Sequence, residues 1–231
     1  MVITDPLAGS SWSAPNTVAG FAQSPPNEVL MAFAAREFPR ATTATAIDIG
    51  CGAGRNALPL ARLGWRVVGT DLSWPMAAKA AERAAAERLA DRFQVVVAPM
   101  PSLPLSDRSA DLIVAHGIWN LARSSGEFRR AVDEAARVAR PGAALFVFTF
   151  SRHTLPPDAQ PVDGEPFVFT QFSGAPQCFL TEAQLVDELT RAGFVLDPAV
   201  PFRELNLPKP GQLQAGGAPV IFEALFRLSV Q

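Results

Sequence analysis

Apolar and polar positions along the chain change period at Ala44. Upstream, Val29, Leu30, Phe33 and Ala34 recur at helical spacing and predict a helix from Asn27 to Phe38, stopped by Pro39. Residues 1–25 are rich in Pro, Ser, Gly and Ala and read as an irregular lead-in, although Trp12, Val18 and Phe21 punctuate it with surface that packs on something. Downstream, short apolar runs alternate with amphipathic ones. Strands are expected at Ala44–Ile49, Arg66–Thr70, Phe93–Ala98, Asp111–Ala115 and Ala143–Phe150. Helices are expected at Arg55–Leu63, at Pro75–Leu89 behind a Ser73 cap, and at Glu127–Arg140 with Pro141-Gly142 ending it. The last of these strands is almost wholly apolar, which suits a sheet buried on both faces.

A Pro-rich stretch from Ser151 to Pro166 breaks the rhythm, and Phe167, Phe169 and Phe172 follow with an alternating look. Thr181–Ala192 reads as a capped helix before Gly193. Phe194–Val200 and Ala218–Leu228 read as two final strands, with a flexible loop carrying Pro208, Pro210, Gly211, Gly216 and Gly217 between them. The expected architecture is therefore an α/β doubly wound domain over residues 44–231, with a seven-stranded, mostly parallel sheet. Residues 1–43 form an N-terminal extension, with a helix, that covers the site.

Composition narrows the class. The chain has 231 residues, 48% hydrophobic and 18% charged, enough apolar surface for a sizeable core. A net charge of −2 gives no basic excess for docking on nucleic acid. No apolar run approaches the roughly 18–20 residues of a membrane span. The first basic residue is Arg36, so no charged segment of a secretory signal precedes it. Two cysteines, Cys51 and Cys178, make no disulfide framework. These facts suggest a cytoplasmic protein; nothing in the pattern sets its oligomeric state. Tyr is absent, so no tyrosine serves as a base.

The strongest chemical signal is the run Ala46-Ile47-Asp48-Ile49-Gly50-Cys51-Gly52-Ala53-Gly54-Arg55-Asn56. A strand enters three glycines and then a helix, which lets a ligand approach the backbone closely. Asp71 ends the next strand, where a carboxylate can accept hydrogen bonds from both ribose hydroxyls of an adenosine. The plainer alternative is a tight turn plus a capping Asp. The glycine spacing differs from the Gly-x-Gly-x-x-Gly of dinucleotide binders, and Asp48 would sit badly beside a pyrophosphate.

On these residues the chain resembles the class I S-adenosylmethionine-dependent methyltransferases. Asp48 to Gly54 is similar to that family's first motif and Asp71-Leu72-Ser73 to its second. Gly52-Ala53-Gly54-Arg55-Asn56 with Leu63-Gly64-Trp65-Arg66-Val67 looks most like the tellurite-resistance and thiopurine methyltransferase branch. The resemblance implies S-adenosylmethionine as cofactor and an antiparallel last strand. It puts backbone groups around Gly50 and Gly52 on the methionine end, counts Asp48, Cys51, Gly54, Arg55 and Asn56 among the cofactor-binding residues, and leaves Arg55 either paired to the methionine carboxylate or an exposed first-turn Arg. It puts Asp71 on the ribose and Leu72 on one adenine face. Family members often carry an acid four residues before a Leu-Pro pair; here Leu103-Pro104 is present but that place is Pro99. Adenine must then be read by backbone groups near Met100 and Pro101.

His116 follows the fourth expected strand, on the rim where ligands bind in open α/β sheets. With an ordinary pKa of about 6.5 it could take the acceptor's proton, or only orient its surroundings. Trp119 is a pocket wall or plain packing. Arg152 and His153 share that rim and could bind an anionic or polar acceptor, or stand in a solvated loop. The sequence lacks the clustered carboxylates of metal-dependent catechol methyltransferases and a His/Cys ligand spacing, so no catalytic metal is expected. Ser24-Pro25-Pro26-Asn27 begins like the loop of amino-directed nucleic-acid methyltransferases but ends in Asn, not an aromatic residue. The expected function is methyl transfer to a small molecule, at an O, N, S or metalloid atom. Its rivals are a non-catalytic S-adenosylmethionine-binding protein and a nicotinamide-dependent oxidoreductase.

Overall fold

The computed structural model describes residues 5–38, 44–207 and 218–230. Strands β1 (Thr45–Ile49), β2 (Arg66–Asp71), β3 (Phe93–Val97), β4 (Ala110–His116) and β5 (Ala139–Phe150) pair in parallel in the order β3-β2-β1-β4-β5. Strand β10 (Ile221–Leu228) runs antiparallel beside β5, as the resemblance implied. Its outer edge is shared: β8 (Phe194–Leu196) pairs with Phe226–Leu228, and β9 (Arg203–Leu205) with Ile221–Glu223. The doubly wound α/β sheet is thus as expected, with eight strands among the described residues instead of seven. A separate two-stranded hairpin joins β6 (Val168–Phe169) to β7 (Gln177–Cys178).

Both faces of the sheet are apolar because neighbouring residues on β1, β4 and β5 are apolar in both alternating sets. Ile47, Ile113, Leu145 and Val147 lie in one core, with Phe128 and Val132 of α5 (Ser125–Val138) and Leu185 and Leu189 of α6 (Glu182–Arg191). Ala46, Leu112, Val114 and Phe146 lie in the other. There they meet Leu30 and Phe33 of α2 (Glu28–Glu37), Leu58 of α3 (Ala57–Arg62) and Ala80 of α4 (Trp74–Ala86). Leu30 and Phe33 are 0% and 2% exposed, and burying such side chains contributes about 1.5–3 kcal/mol each. The helix starts follow their caps: Asn27, Ser73, Ser124 and Thr181 side chains each accept a backbone N–H of the first turn.

Five expectations need correction. The lead-in is not irregular throughout: Pro15–Gln23 is a helix, α1, begun by Pro15 and held by Val18, Phe21 and Ala22 on Ala53 and Met76. Pro141-Gly142 does not separate α5 from the next strand, since β5 already starts at Ala139. There Ala110 pairs with Ala139 but Leu112 with Ala144, so the extra residues form a bulge, with Gly142 at φ 80°. The penultimate strand stops at Leu196 rather than Val200. Arg203–Leu205, read as loop, forms β9, while residues 208–217 of that expected loop lie outside the described residues. His116 itself belongs to β4, one residue beyond its expected end.

Candidate active site

Where β1 and β2 end, the chain is held by its own backbone. Cys51 donates its N–H to Thr70 O at 2.9 Å, which carries the parallel pairing past the end of β1. Gly52 N–H then reaches Asp71 Oδ2 and Ser73 N–H reaches Asp71 Oδ1, both at 2.8 Å. Burial raises the Asp71 carboxyl above its usual range against the pull of those N–H groups and that of Leu72. Gly50 has φ 69°, and a Cβ there would lie 2.6 Å from Ile118 Cδ1, so only glycine fits. Cys51 is free and buried, and burial first, then Asp48 and Asp71, push its thiol well above the ordinary range. Leu72 is half-buried and Met100 nearly buried, at the ends of β2 and β3; Pro101 is half-buried beside Met100.

The N-terminal segment lies on this turn. Trp74 N–H donates to Asp5 Oδ1 at 3.0 Å, and Ser13 Oγ and Ser73 Oγ are 3.0 Å apart. Phe21 Cδ1 lies 3.5 Å from where a Cβ on Gly52 would stand. Arg55 Nε donates to Pro25 O at 2.5 Å, so this guanidinium ties the segment down. Asn27 continues the seam: its N–H donates to Asn56 Oδ1 at 3.0 Å and its Nδ2 to Glu223 Oε2 at 2.8 Å. Glu223 and Asn56 are both buried.

At the ends of β4 and β5 the pattern reverses. His116 stacks on Phe148, its register partner, with ring centroids 4.1 Å apart and planes 6° from parallel. Burial, then the Arg55 charge, push its pKa down to about 4, so the imidazole is neutral at neutral pH. This shifts its titration away from the ordinary 6.5. Asp48 moves the other way: burial, then Asp71, raise it to about 7, against the Ala57 N–H and Arg55. Among the described residues, seven buried side-chain atoms lack a partner: Ser10 Oγ in the N-terminal segment, and six others, Asp48 Oδ2, His116 Nε2, Thr70 Oγ1, Trp119 Nε1, Asn120 Oδ1 and Thr149 Oγ1. All six belong to the terminal residues of β1, β2, β4 and β5 or to the turn after β4. Buried polar atoms are normally paired, so such a gathering marks a place for a ligand.

Other expected site residues are placed differently. Trp119 is fully buried, edge-on to Phe128 at 5.9 Å, and is core packing with one orphaned N–H. Arg152 donates to the carbonyls of Leu155, Pro156, Pro157 and Ala159 and lies 4.9 Å over the Phe169 ring. His153 Nδ1 is 2.7 Å from Glu204 Oε1, and the Ser151 hydroxyl donates to the same oxygen. Among the described residues no three His, Cys, Asp or Glu side chains cluster as metal ligands, and no helix is long and apolar enough to cross a membrane. Phe148, Asn27 and Glu223 were missed, because only sheet register and helix docking reveal them.

Residues 47–147 match the family described as methyltransferase domain. The chain is 32% identical over 111 residues to a demethylmenaquinone methyltransferase of Clavibacter sepedonicus, a match covering 48% of this chain and 42% of that relative. The chain thus spans less than half the length of that curated relative. The 1,6-didemethyltoxoflavin-N1-methyltransferase of Burkholderia thailandensis, solved with 1,6-didemethyltoxoflavin and S-adenosylhomocysteine, superposes with a TM-score of 0.63 at 18% identity, over 88% of this chain and 80% of that one. The cyclase SpnF superposes with a TM-score of 0.59 at 24% identity, over 76% of this chain and 58% of that one. These structures share the Rossmann-like α/β fold of the chain. The residues present fit S-adenosylmethionine: a buried carboxylate with an orphaned oxygen suits a cationic ligand, and the Gly52–Asp71 turn presents an acid at the end of β2.

Proposed function

We propose that the chain transfers a methyl group from S-adenosylmethionine to a small-molecule acceptor at the β4–β5 end of the sheet. The observation that carries this reading is the pair of orphaned buried atoms Asp48 Oδ2 and His116 Nε2 flanking the glycine loop. Asp71 takes the ribose hydroxyls, Asp48 the positive end of the methionine part, and Leu72 with Met100 and Pro101 the adenine. Gly50, Cys51, Gly52 and Gly54 supply close backbone approach, and Arg55 and Asn56 fix the loop to the N-terminal segment. That segment, over residues 5–38, covers the site. When bound, the cofactor supplies a methyl carbon already activated by a sulfonium, with a neutral thioether as leaving group. The residues then have to align the acceptor and exclude water, which is proximity catalysis. The acceptor's lone pair forms the new bond to carbon, and its proton passes to the neutral His116 Nε2. Arg152 braces the 152–159 loop rather than reading an anion.

A screen of acceptors that detects S-adenosylhomocysteine release tests the reading. It should include thiopurines and tellurite, since the resemblance of Gly52–Asn56 and Leu63–Val67 to the tellurite-resistance and thiopurine branch makes sulfur or metalloid acceptors part of the proposal. Release with at least one acceptor supports it. Tight cofactor binding with no release across the screen favours a second reading, in which the fold serves other chemistry; the superposing cyclase SpnF shares this fold.

A further inference from the structure

The rim beyond His116 is unusually rich in rings. Phe148 and Phe150 are two residues apart on β5, so they share a face, and Phe150 lies about 7 Å further along the strand. The β6–β7 hairpin folds over that end of β5. Phe179, just after it, stacks on Phe150 at 5.5 Å. Phe172, in the hairpin loop, meets Phe150 edge-on at 5.4 Å and Phe179 at 5.7 Å. Phe172 nevertheless remains 44% exposed, while Phe179 is fully buried. The hairpin therefore presents one ring outward beside the strand that carries the His116 partner. The cations of this rim are committed: Arg152 to four carbonyls, and His153 to Glu204. An anionic acceptor would find no free partner among them.

We infer that the acceptor carries a flat, uncharged ring that lies against Phe150 and Phe172, with its nucleophilic substituent directed back at His116. The inference rests on the methyl-transfer reading of the site and names the class of molecule it takes. Aromatic rings pair at centroid separations of roughly 4.5–7 Å. A ring seated on Phe150 at such a distance carries a substituent over the strand rise of about 7 Å to the stacked His116. The His116–Phe148 pair, parallel within 6°, fixes the imidazole so that Nε2 keeps its aim. A puckered aliphatic molecule of equal size gains the burial but not the ring contact.

Equilibrium dialysis against 2-naphthol and against decahydro-2-naphthol, with and without saturating S-adenosylhomocysteine, tests the inference. The intact protein should bind 2-naphthol at least fivefold more tightly than its saturated counterpart. Phe172→Ala should weaken 2-naphthol at least fivefold and remove most of that preference, and Phe172→Leu should restore general affinity but not the preference. Thermal melts of both variants check that the hairpin still folds. Equal binding of the two probes, no binding of either, or a Phe172→Ala variant that binds 2-naphthol unchanged overturns the inference. A separate calorimetric titration with S-adenosylhomocysteine reports on the cofactor reading. If it binds and the naphthols are not distinguished, the ring platform fails and methyl transfer stands. If it does not bind, methyl transfer fails, and the cofactor-free arm still decides the platform.

Discussion

At the β1–β2 end of the rim the carboxylate of Asp71 is held by backbone N–H groups of Gly52 and Ser73, and the N-terminal segment packs over the same turn. At the β4–β5 end the work falls to side chains: a stacked imidazole with a free nitrogen, a buried Asn and Thr without partners, and a run of phenylalanines. The first region is built to bind one fixed molecule, because backbone geometry changes little with side-chain substitution. The second is built from replaceable side chains, which suits the variable acceptor of the proposed reading. On the proposed function, cofactor and acceptor chemistry are separated along one sheet edge, and substitutions should fall into two classes.

The largest effect belongs to the acceptor end. His116→Ala should lower turnover on the order of 10² to 10⁴-fold while leaving S-adenosylhomocysteine affinity nearly unchanged. In the intact protein turnover should rise through about pH 4, where His116 titrates, and stay flat between pH 6 and 8. A limb centred near 6.5 that survives His116→Ala would assign it to the acceptor. Stopped assays of both proteins across pH decide this.

Next comes the backbone end. Gly50→Ala places a Cβ 2.6 Å from Ile118 at a left-handed φ. Overpacking and the conformation together should cost about 2–4 kcal/mol of stability. Chemical denaturation measures it, and cofactor affinity should fall in parallel. A smaller loss would mean that the loop yields, and that the two ends are less different than proposed.

The pH dependence of stability separates the two groups by sign. Asp48, raised to about 7, keeps its proton longer in the folded state, so between about pH 4 and 7 its contribution falls as pH rises. His116, lowered to about 4, binds its proton less readily when folded, so between about pH 4 and 6.5 its contribution rises with pH. The two slopes oppose each other, each at most about 1.4 kcal/mol per pH unit. Asp48→Asn should leave a stability that climbs with pH in this window, and His116→Gln one that declines. Urea titrations at half-unit pH steps read both; equal slopes in the two variants would refute the burial of either group.

The smallest effect is expected from the cover. Deleting residues 1–22 removes Phe21 and Ser13 from the glycine turn but no strand of the sheet. The melting transition should remain cooperative while turnover drops several-fold, as expected of a segment proposed to exclude water from the site. Full activity in the shortened protein would show that it covers nothing of consequence.

The difference between the two ends also decided what the sequence disclosed. Asp48, Gly50, Gly52 and Asp71 sit in one strand–turn–helix and the next strand, so local spacing exposed the glycine turn that is proposed to hold the cofactor. The frame of α/β alternation was legible for the same reason. The partner of His116 was not, because Phe148 lies on a different strand and meets it only through the β4–β5 register. Glu223 and Asn27 meet across nearly the whole chain. Arg152 looked like an acceptor ligand by its place after a strand, yet the Pro-rich loop turned its own carbonyls toward it. β6, β7 and β9 are two or three residues long and carry no period to detect. Pro141 and Gly142 signalled a break that a bulged strand absorbed.

The glycine turn closed by Asp71 is proposed to bind S-adenosylmethionine. Calorimetric titration of the intact protein and of Asp71→Ala with S-adenosylhomocysteine and with NAD tests it most directly. The account predicts one-to-one binding of S-adenosylhomocysteine, at least tenfold weaker in Asp71→Ala because charge-assisted hydrogen bonds of about 1.5–3 kcal/mol each are lost, and no heat with NAD. An unchanged dissociation constant in Asp71→Ala, or binding of NAD in place of S-adenosylhomocysteine, would contradict it.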